Sequence, residues 1–310
     1  MATEKRIVIY HHYDRDNVVD PYVLYQLKAF RDFGIELIFV SHSQLPVSEV
    51  DNAKALCGEV LLRANRGFDW GAWQEVLLGH KRTFWEQYDE VLLANCSCYG
   101  PFIPMSNLFG RMNETNTDFW TITEHLEVPG FPPHGQSYFF VFAKRLVASD
   151  TFWRFWQRLP EAQSYWEAVW CGEIGLSQTF VKAGFKRNAW VDLSDWQNQP
   201  PCVFRDALRL LRETQMPFVK VKAIQGHRDN GLSADTLADV LSAQGSLYPV
   251  TLVREHLFRC PDTLVQDRVV TTFTRCKNWL MRWTVARSMY LGRMVAWYQC
   301  RRHGVPYAGK

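Results

Sequence analysis

Short apolar runs alternate with helix-patterned segments through the first hundred residues, and this alternation constrains the fold more than any other feature. Arg6-Ile-Val-Ile-Tyr-His11 is apolar and ends in polar residues, as a buried strand does. Asp20-Pro21 then offers an N-cap and a proline at the first helical position, apolar residues recur at helical spacing over 22–33, and Gly34 closes the helix. Residues 36–41 read as a second strand, a short helix runs to about Cys57, and residues 59–63 read as a third strand. This order predicts a parallel sheet with right-handed crossovers. A helix expected from Gly71 or Ala72, another carrying Phe84, Trp85 and Tyr88, and a strand over 90–95 continue the series. Residues 119–123 and 136–142 read as further strands around a Pro/Gly-rich loop, 125–135, of the length that folds over a ligand. Helices are expected over 149–158, through Glu173 to Ala183, and over 203–213. Residues 217–224 read as extended, with Lys220 and Lys222 on one face.

Composition removes several classes. With 310 residues, 47% hydrophobic and 22% charged, the chain builds a large core and is not disordered. No run of eighteen apolar residues offers a membrane span, and the N-terminus has no signal-peptide core. The eight cysteines show neither a C-x-x-C pair nor zinc spacing, so reduced thiols in a cytosolic protein are expected. Net charge is +3 but unevenly spread: residues 251–310 carry eleven Lys/Arg against three Asp/Glu, leaving the body mildly acidic. The expected division is a catalytic domain over 1–248 and a basic, aromatic helical tail over 249–310.

In open α/β sheets ligands bind beyond the C-terminal strand ends. The polar clusters there are His11, His12, Tyr13 and Asp14; residues 65–71; and residues 95–99. No G-x-G-x-x-G follows the first strand and no G-x-x-x-x-G-K-[ST] occurs, so neither dinucleotide nor P-loop binding has support.

Asn65-Arg66-Gly67-Phe68-Asp69-Trp70-Gly71-Ala72-Trp73, and Tyr88-Asp89-Glu90-Val91-Leu92-Leu93-Ala94-Asn95 followed by Ser97-Cys98-Tyr99-Gly100-Pro101, resemble the rhamnan synthesis protein F family. So do Gln136-Ser137-Tyr138-Phe139, Glu173-Ile174-Gly175-Leu176-Ser177 and Pro217-Phe218-Val219-Lys220; the five blocks keep the family's order over roughly residues 5–225. The resemblance implies a GT-A-like, Rossmann-type, mostly parallel sheet flanked by helices, and a glycosyltransferase of bacterial O-antigen and cell-surface polysaccharide synthesis. It would use a nucleotide diphosphate sugar, rhamnose or another hexose. One departure stands out: the family's Asn-Asp-Ser is here Asn95-Cys96-Ser97. In GT-A-like enzymes an acid at that strand end ligates the divalent metal, and Mg²⁺ or Mn²⁺ prefers oxygen to a thiolate. Metal independence is the favoured expectation, with another carboxylate such as Asp69 as ligand, or lost activity, as alternatives.

Glycosyl transfer needs a base for the acceptor hydroxyl, charge compensation for the departing diphosphate, and grips on nucleoside and sugar. Glu173 is the expected base, kept ionised by a helix N-terminus, or else a plain first-turn glutamate. Arg66, Gly67, Asp69 and Trp70 would bind the donor, or Asp69 would simply cap the next helix. His11, His12, Asn95, Ser97 and Tyr99 complete the donor set, and Lys220 would face the phosphates unless it lies on an exposed edge strand. Each histidine could equally be a strand-end residue satisfied by backbone. His134, Gln136, Ser137 and Tyr138 would contact acceptor or phosphate. Trp153 and Trp156, beside Phe152 and Phe155, read as packing.

Over 267–303, arginines interleave with Trp279, Trp283, Met294, Trp297 and Tyr298, as in a helix lying on an anionic bilayer. The expected setting is the inner face of the cytoplasmic membrane, with a lipid-linked glycan acceptor and other polysaccharide assembly enzymes as partners, and no nucleic acid. A catalytically silent nucleotide-sugar or glycan-binding scaffold is the alternative from a different class.

Overall fold

The computed structural model describes residues 4–128, 130–193, 201–226, 230–261 and 289–306. The first half runs β1 (Arg6–His12), α1 (Pro21–Asp32), β2 (Ile35–Ser41), α2 (Val47–Lys54), β3 (Glu59–Leu62), α3 (Phe68–Gly79), α4 (Arg82–Trp85), β4 (Glu90–Asn95), β5 (Cys98–Tyr99) and α5 (Met105–Asn113). Then come β6 (Phe119–Thr121), β7 (Glu124–His125), β8 (His134–Gly135), β9 (Phe139–Ala143), α6 (Lys144–Val147), α7 (Asp150–Arg158) and α8 (Tyr165–Glu167). A π-helical segment, Ala168–Ile174, joins α8 to α9 (Gly175–Lys182). The chain continues with β10 (Arg187–Ala189), α10 (Ala207–Thr214), β11 (Val219–Lys220), α11 (Val221–Gln225), α12 (Ala234–Ala243), α13 (Thr251–Arg259) and α14 (Met289–Arg302).

Seven strands form the central sheet in the order β10-β6-β9-β4-β1-β2-β3. Its pairs are parallel except for β9, which runs antiparallel to both β4 and β6. The strand–helix alternation of the sequence therefore builds the expected mostly parallel α/β sheet. Successive side chains leave a strand on opposite faces, and here both faces are buried. Val8, Tyr10, Leu92, Ala94, Phe139 and Val141 enter one core, with side chains of α1, α5, α10, α12 and α13. Ile7, Ile9, Val91, Leu93, Phe140 and Phe142 enter the other, with α3, α7 and α9. Trp153 and Trp156 are buried in that second core, as the packing reading required.

Several local expectations change. The helix after β3 begins at Phe68, ahead of Gly71, because Gly67 adopts φ +72° and lets the chain turn sharply into it. The stretch 217–224 is not one strand. Only Val219–Lys220 pairs, with β5, and α11 follows at once, so Lys222 is exposed and shares no strand face with Lys220. The small hairpin β7–β8 and the edge strand β10 were not foreseen, being two and three residues long.

Contacts cross the boundary expected at residue 248. Helix α13 packs Val253 into the first core. His256 Nδ1 lies 2.6 Å from the Tyr99 hydroxyl, and Arg259 bonds to Asp14, Asp16 and Asp20 of the loop after β1. Residues 251–259 thus belong to the body. Residues 262–288, most of the expected membrane-facing tail, lie outside the described residues. Helix α14 is described, and its Cys300, with Val305 beyond it, packs on Trp170 and Ile174 of the π-helical segment. Among the described residues no helix is long and apolar enough to cross a membrane.

Candidate active site

The C-terminal ends of β1 and β4 lie side by side, with His11 registered against Asn95. Here a directional hydrogen-bond chain runs between a cation and a carboxylate. Lys220 Nζ donates to Ser97 Oγ at 3.0 Å, Ser97 Oγ donates to Asn95 Oδ1, and Asn95 Nδ2 donates to Asp69 Oδ2 at 2.9 Å. The Ser97 backbone N–H also reaches Asn95 Oδ1, at 3.2 Å, which fixes the orientation of the amide. Lys220 Nζ sits 4.5 Å from the centroid of the Tyr138 ring, a cation on an aromatic face.

Burial pushes the Asp69 carboxyl up to about 6; Lys220 and the Asn95 amide pull it down, while the negative charge of Glu173 adds to the rise. A folded-state pKa above the ordinary 3.8 means that the native state binds more protons than the unfolded chain between those values. Stability then falls as pH rises through that window, and the loss is complete above it. Asp69→Asn is accordingly expected to be more stable than wild type at pH 8 by about 3 kcal/mol, with the gap closing near pH 4. Denaturant melts at both pH values read this out; equal differences at the two would contradict it.

Glu173 joins this cluster through Ser137, the chain neighbour of the Tyr138 that lies under Lys220. Its Oε2 accepts the Ser137 backbone N–H at 3.0 Å, and its Oε1 lies 3.4 Å from His134 Nε2. Burial alone would raise this carboxyl, but the bonds from His134 and Ser137 outweigh it and hold the group below its ordinary value. His134 Nδ1 lies 2.7 Å from the Pro132 carbonyl, so both ring nitrogens face acceptors. His125 stacks on this ring at 4.9 Å and is held neutral, its pKa lowered to about 4 by burial and then by His134.

The expected helix N-terminus behind Glu173 is not there. Glu173 lies in the middle of one continuous helix, in its π-helical stretch, so hydrogen bonds rather than a helix dipole keep it ionised. Gly172 lets Trp70 pack against that stretch: a Cβ there would fall 2.4 Å from the Trp70 ring. Gly172→Ala should therefore lower stability by about 1–3 kcal/mol. Gly110→Ala, on the exposed face of α5 with no atom within 4 Å of the added carbon, should raise it by roughly 0.5–1 kcal/mol. Thermal melts of the two variants should move in opposite directions.

Other expected site residues go elsewhere. Trp70 is a core residue, stacked on Trp156 at 5.8 Å, because α3 turns it toward the sheet. Tyr99 is fully buried on His256. Arg66 is exposed and pairs with Glu161 at 3.4 Å. His12 is buried between Ser41 and the Val18 carbonyl, a strand-end histidine satisfied locally. His11 is buried too, its Nε2 3.1 Å from His42 Nδ1, and Arg63 reaches the other nitrogen of His42. That Arg63 contact makes His42 Nε2 the acceptor, so His42 donates to His11 and His11 carries its own proton on Nδ1. Gln136 Oε1 accepts from Thr123, and Tyr138 is buried below Lys220 with its hydroxyl on the same threonine. The cluster thus gathers Asp69, Asn95, Ser97, Lys220, Glu173, His134, Ser137 and Tyr138.

A divalent metal does not fit these residues. The Cys96 thiol, pushed up to about 12 by burial, is protonated and bonded to the Tyr13 backbone. Asp69 is engaged by Asn95 and lies in the field of Lys220. Among the described residues no group of three His, Cys, Asp or Glu side chains is arranged to hold a metal ion. Two concavities elsewhere, about 340 Å³ beside Arg154, Arg158 and His303 and about 640 Å³ beside Asn116, Glu127 and Lys186, include none of Asp69, Glu173 and Lys220.

Fold and site together define an α/β protein with an acid–cation crevice at its parallel strand ends. The sequence pattern of rhamnan synthesis protein F matches residues 37–286, and the chain belongs to that family. It is 24% identical over 163 residues to the uncharacterized protein y4gN of Sinorhizobium fredii (strain NBRC 101917 / NGR234), a match covering 52% of this chain and 42% of that protein. The chain thus spans under half the length of this curated relative. Among solved structures, the mannosyltransferase Ktr4p from S. cerevisiae matches at 9% identity and a TM-score of 0.32, over 49% of this chain and 59% of that one. The 4-diphosphocytidyl-2C-methyl-D-erythritol synthase from Anaerococcus prevotii DSM 20548 matches at 12% identity and a TM-score of 0.36, over 60% and 86%.

Proposed function

We propose that the protein is a GT-A-like, nucleotide-sugar-dependent glycosyltransferase that works by inversion. It transfers rhamnose or another hexose to a lipid-linked glycan during bacterial cell-surface polysaccharide synthesis. The observation that carries this reading is one crevice holding an ionised Glu173 together with the Lys220–Ser97–Asn95–Asp69 chain. Membership of the rhamnan synthesis protein F family supports the substrate class.

Glu173 takes the proton from the acceptor hydroxyl as that oxygen attacks the anomeric carbon. The bond to the donor phosphate breaks, and the nucleoside diphosphate leaves with its electron pair. A carboxylate offers about four lone-pair positions; Ser137 and His134 engage one on each oxygen and orient the group. Lys220 supplies positive charge to the diphosphate, in the role that a metal holds in related folds. Asp69, with a pKa near 6, sets the charge around Lys220 through Asn95 and Ser97.

The test is nucleotide release from dTDP-, UDP- and GDP-sugars in the presence of a glycan acceptor, with and without a chelator. Turnover that survives the chelator supports the reading. Saturable donor binding without turnover supports the alternative of a silent scaffold, for which Cys96 in place of the family's acid is the favouring observation.

Membrane contact belongs to the same proposal. On α14, Met294, Trp297 and Tyr298 are about half exposed beside exposed Arg293, Arg301 and Arg302, a combination that suits an anionic lipid surface. Co-sedimentation with vesicles containing phosphatidylglycerol should fall several-fold in the Trp297→Ala, Tyr298→Ala double variant. Equal partitioning would remove this part of the proposal.

A further inference from the structure

The helix that carries Glu173 begins in an aromatic surface for which the donor chemistry has no use. Tyr165 is 61% exposed and Trp166 is 56% exposed, whereas Trp70, Trp73, Trp85, Trp120, Trp153, Trp156, Trp170 and Trp190 are all buried. The two rings meet edge to face at 5.5 Å. Phe131 lies 6.3 Å from Trp166 and stacks on Trp170 at 5.4 Å, so the exposed pair has a packed backing. Large apolar side chains held in water by a rigid support mark a contact site.

The position ties this surface to the acid. Phe131 sits in the loop between β7 and β8, and β8 provides the His134 that bonds to Glu173. Tyr165 opens the same continuous helix that carries Glu173, capped by Ser164. Burial first, and then the negative charges of Glu173 and Asp69, raise the Tyr165 phenol above its ordinary value.

We propose that Tyr165 and Trp166, backed by Phe131, form the acceptor subsite, on which the C–H face of a pyranose ring stacks with its attacking hydroxyl turned toward Glu173. This rests on the glycosyltransferase reading of the crevice. An aromatic face carries partial negative charge and suits the polarised C–H bonds of a sugar. The neighbouring Glu167 side chain is acidic, which disfavours a phosphate or an anionic bilayer and suits a neutral polyol.

Saturation-transfer NMR with methyl α-L-rhamnopyranoside, methyl α-D-mannopyranoside and methyl β-D-glucopyranoside tests this directly. At least one glycoside should receive saturation confined to the protons of one ring face. Trp166→Ala and Tyr165→Ala should each weaken that binding roughly tenfold, and Trp166→Phe should restore most of it. In turnover the effect should fall on the acceptor KM rather than on kcat. Failure of all three glycosides to bind, or alanine variants that bind like wild type, would overturn the subsite. Donor hydrolysis by the wild-type protein separates the two ideas. Hydrolysis alongside an unchanged acceptor KM in the variants refutes the platform alone. Glycoside binding at Trp166 in a protein that turns over no nucleotide sugar supports the platform and refutes the enzyme reading.

Discussion

Glu173→Gln is expected to lower sugar transfer by roughly 100- to 10,000-fold, the range for loss of a positioned general base. The amide keeps the shape and can still accept the Ser137 N–H, so the fold should tolerate the change. What it loses is the ability to take a proton. The pH profile carries a second signature. Since Glu173 is held below the ordinary carboxylate range, it stays ionised at every pH where Asp69, with its pKa near 6, titrates. An inflection near pH 6 therefore belongs to Asp69 and should vanish in Asp69→Asn, while the limb that tracks Glu173 should appear only in more acidic solution. A Glu173→Gln protein that transfers sugar at the wild-type rate would remove Glu173 from the chemistry.

Lys220→Met is expected to cost about 100- to 1,000-fold in kcat, comparable to losing one preorganised group that stabilises developing charge. The loss should be the same with and without a chelator, because the residues around Lys220 do not fit a divalent ion. Lys220→Arg should recover part of the rate, since the charge returns on a guanidinium of different shape. Removing the ammonium also takes away the largest influence that lowers the Asp69 pKa, so that carboxyl should titrate above 6 in Lys220→Met. A rate lost on adding chelator to the wild type would show that a metal, and not Lys220, carries the phosphate charge.

How much of this was legible in the sequence depends on the range of the interactions involved. The parallel sheet followed from local patterns, since runs such as Ile7-Val8-Ile9-Tyr10 and Val91-Leu92-Leu93-Ala94 are apolar on both faces and end in polar residues. The strand-end rule then pointed to Asp69, Asn95 and Ser97, and the family-like blocks pointed to Glu173 and Lys220. Spacing did not say which way a side chain would turn. Trp70 and Asp69 are adjacent, yet one enters the core and the other faces the crevice, a choice set by how α3 packs on the sheet. The packing of Trp70 on the π-helical stretch at Gly172 joins residues far apart in the chain. Lys220 reaches Ser97 because a two-residue strand is followed at once by a helix, a break that the alternating Val219–Ala223 pattern concealed. Tyr165 and Trp166 were missed altogether. The available signal was a pair of adjacent aromatics behind a capping serine, and it gave no indication that both would stay in water.

The most direct test of the central claim is a crystal structure of the protein soaked with a nucleoside diphosphate, chosen from UDP, GDP and dTDP by binding. The account predicts diphosphate oxygens within hydrogen-bonding distance of Lys220 Nζ and Ser97 Oγ, with the Glu173 carboxylate open on the acceptor side. A nucleotide seated instead in the groove beside Arg154, Arg158 and His303, with the strand-end crevice empty, would contradict it.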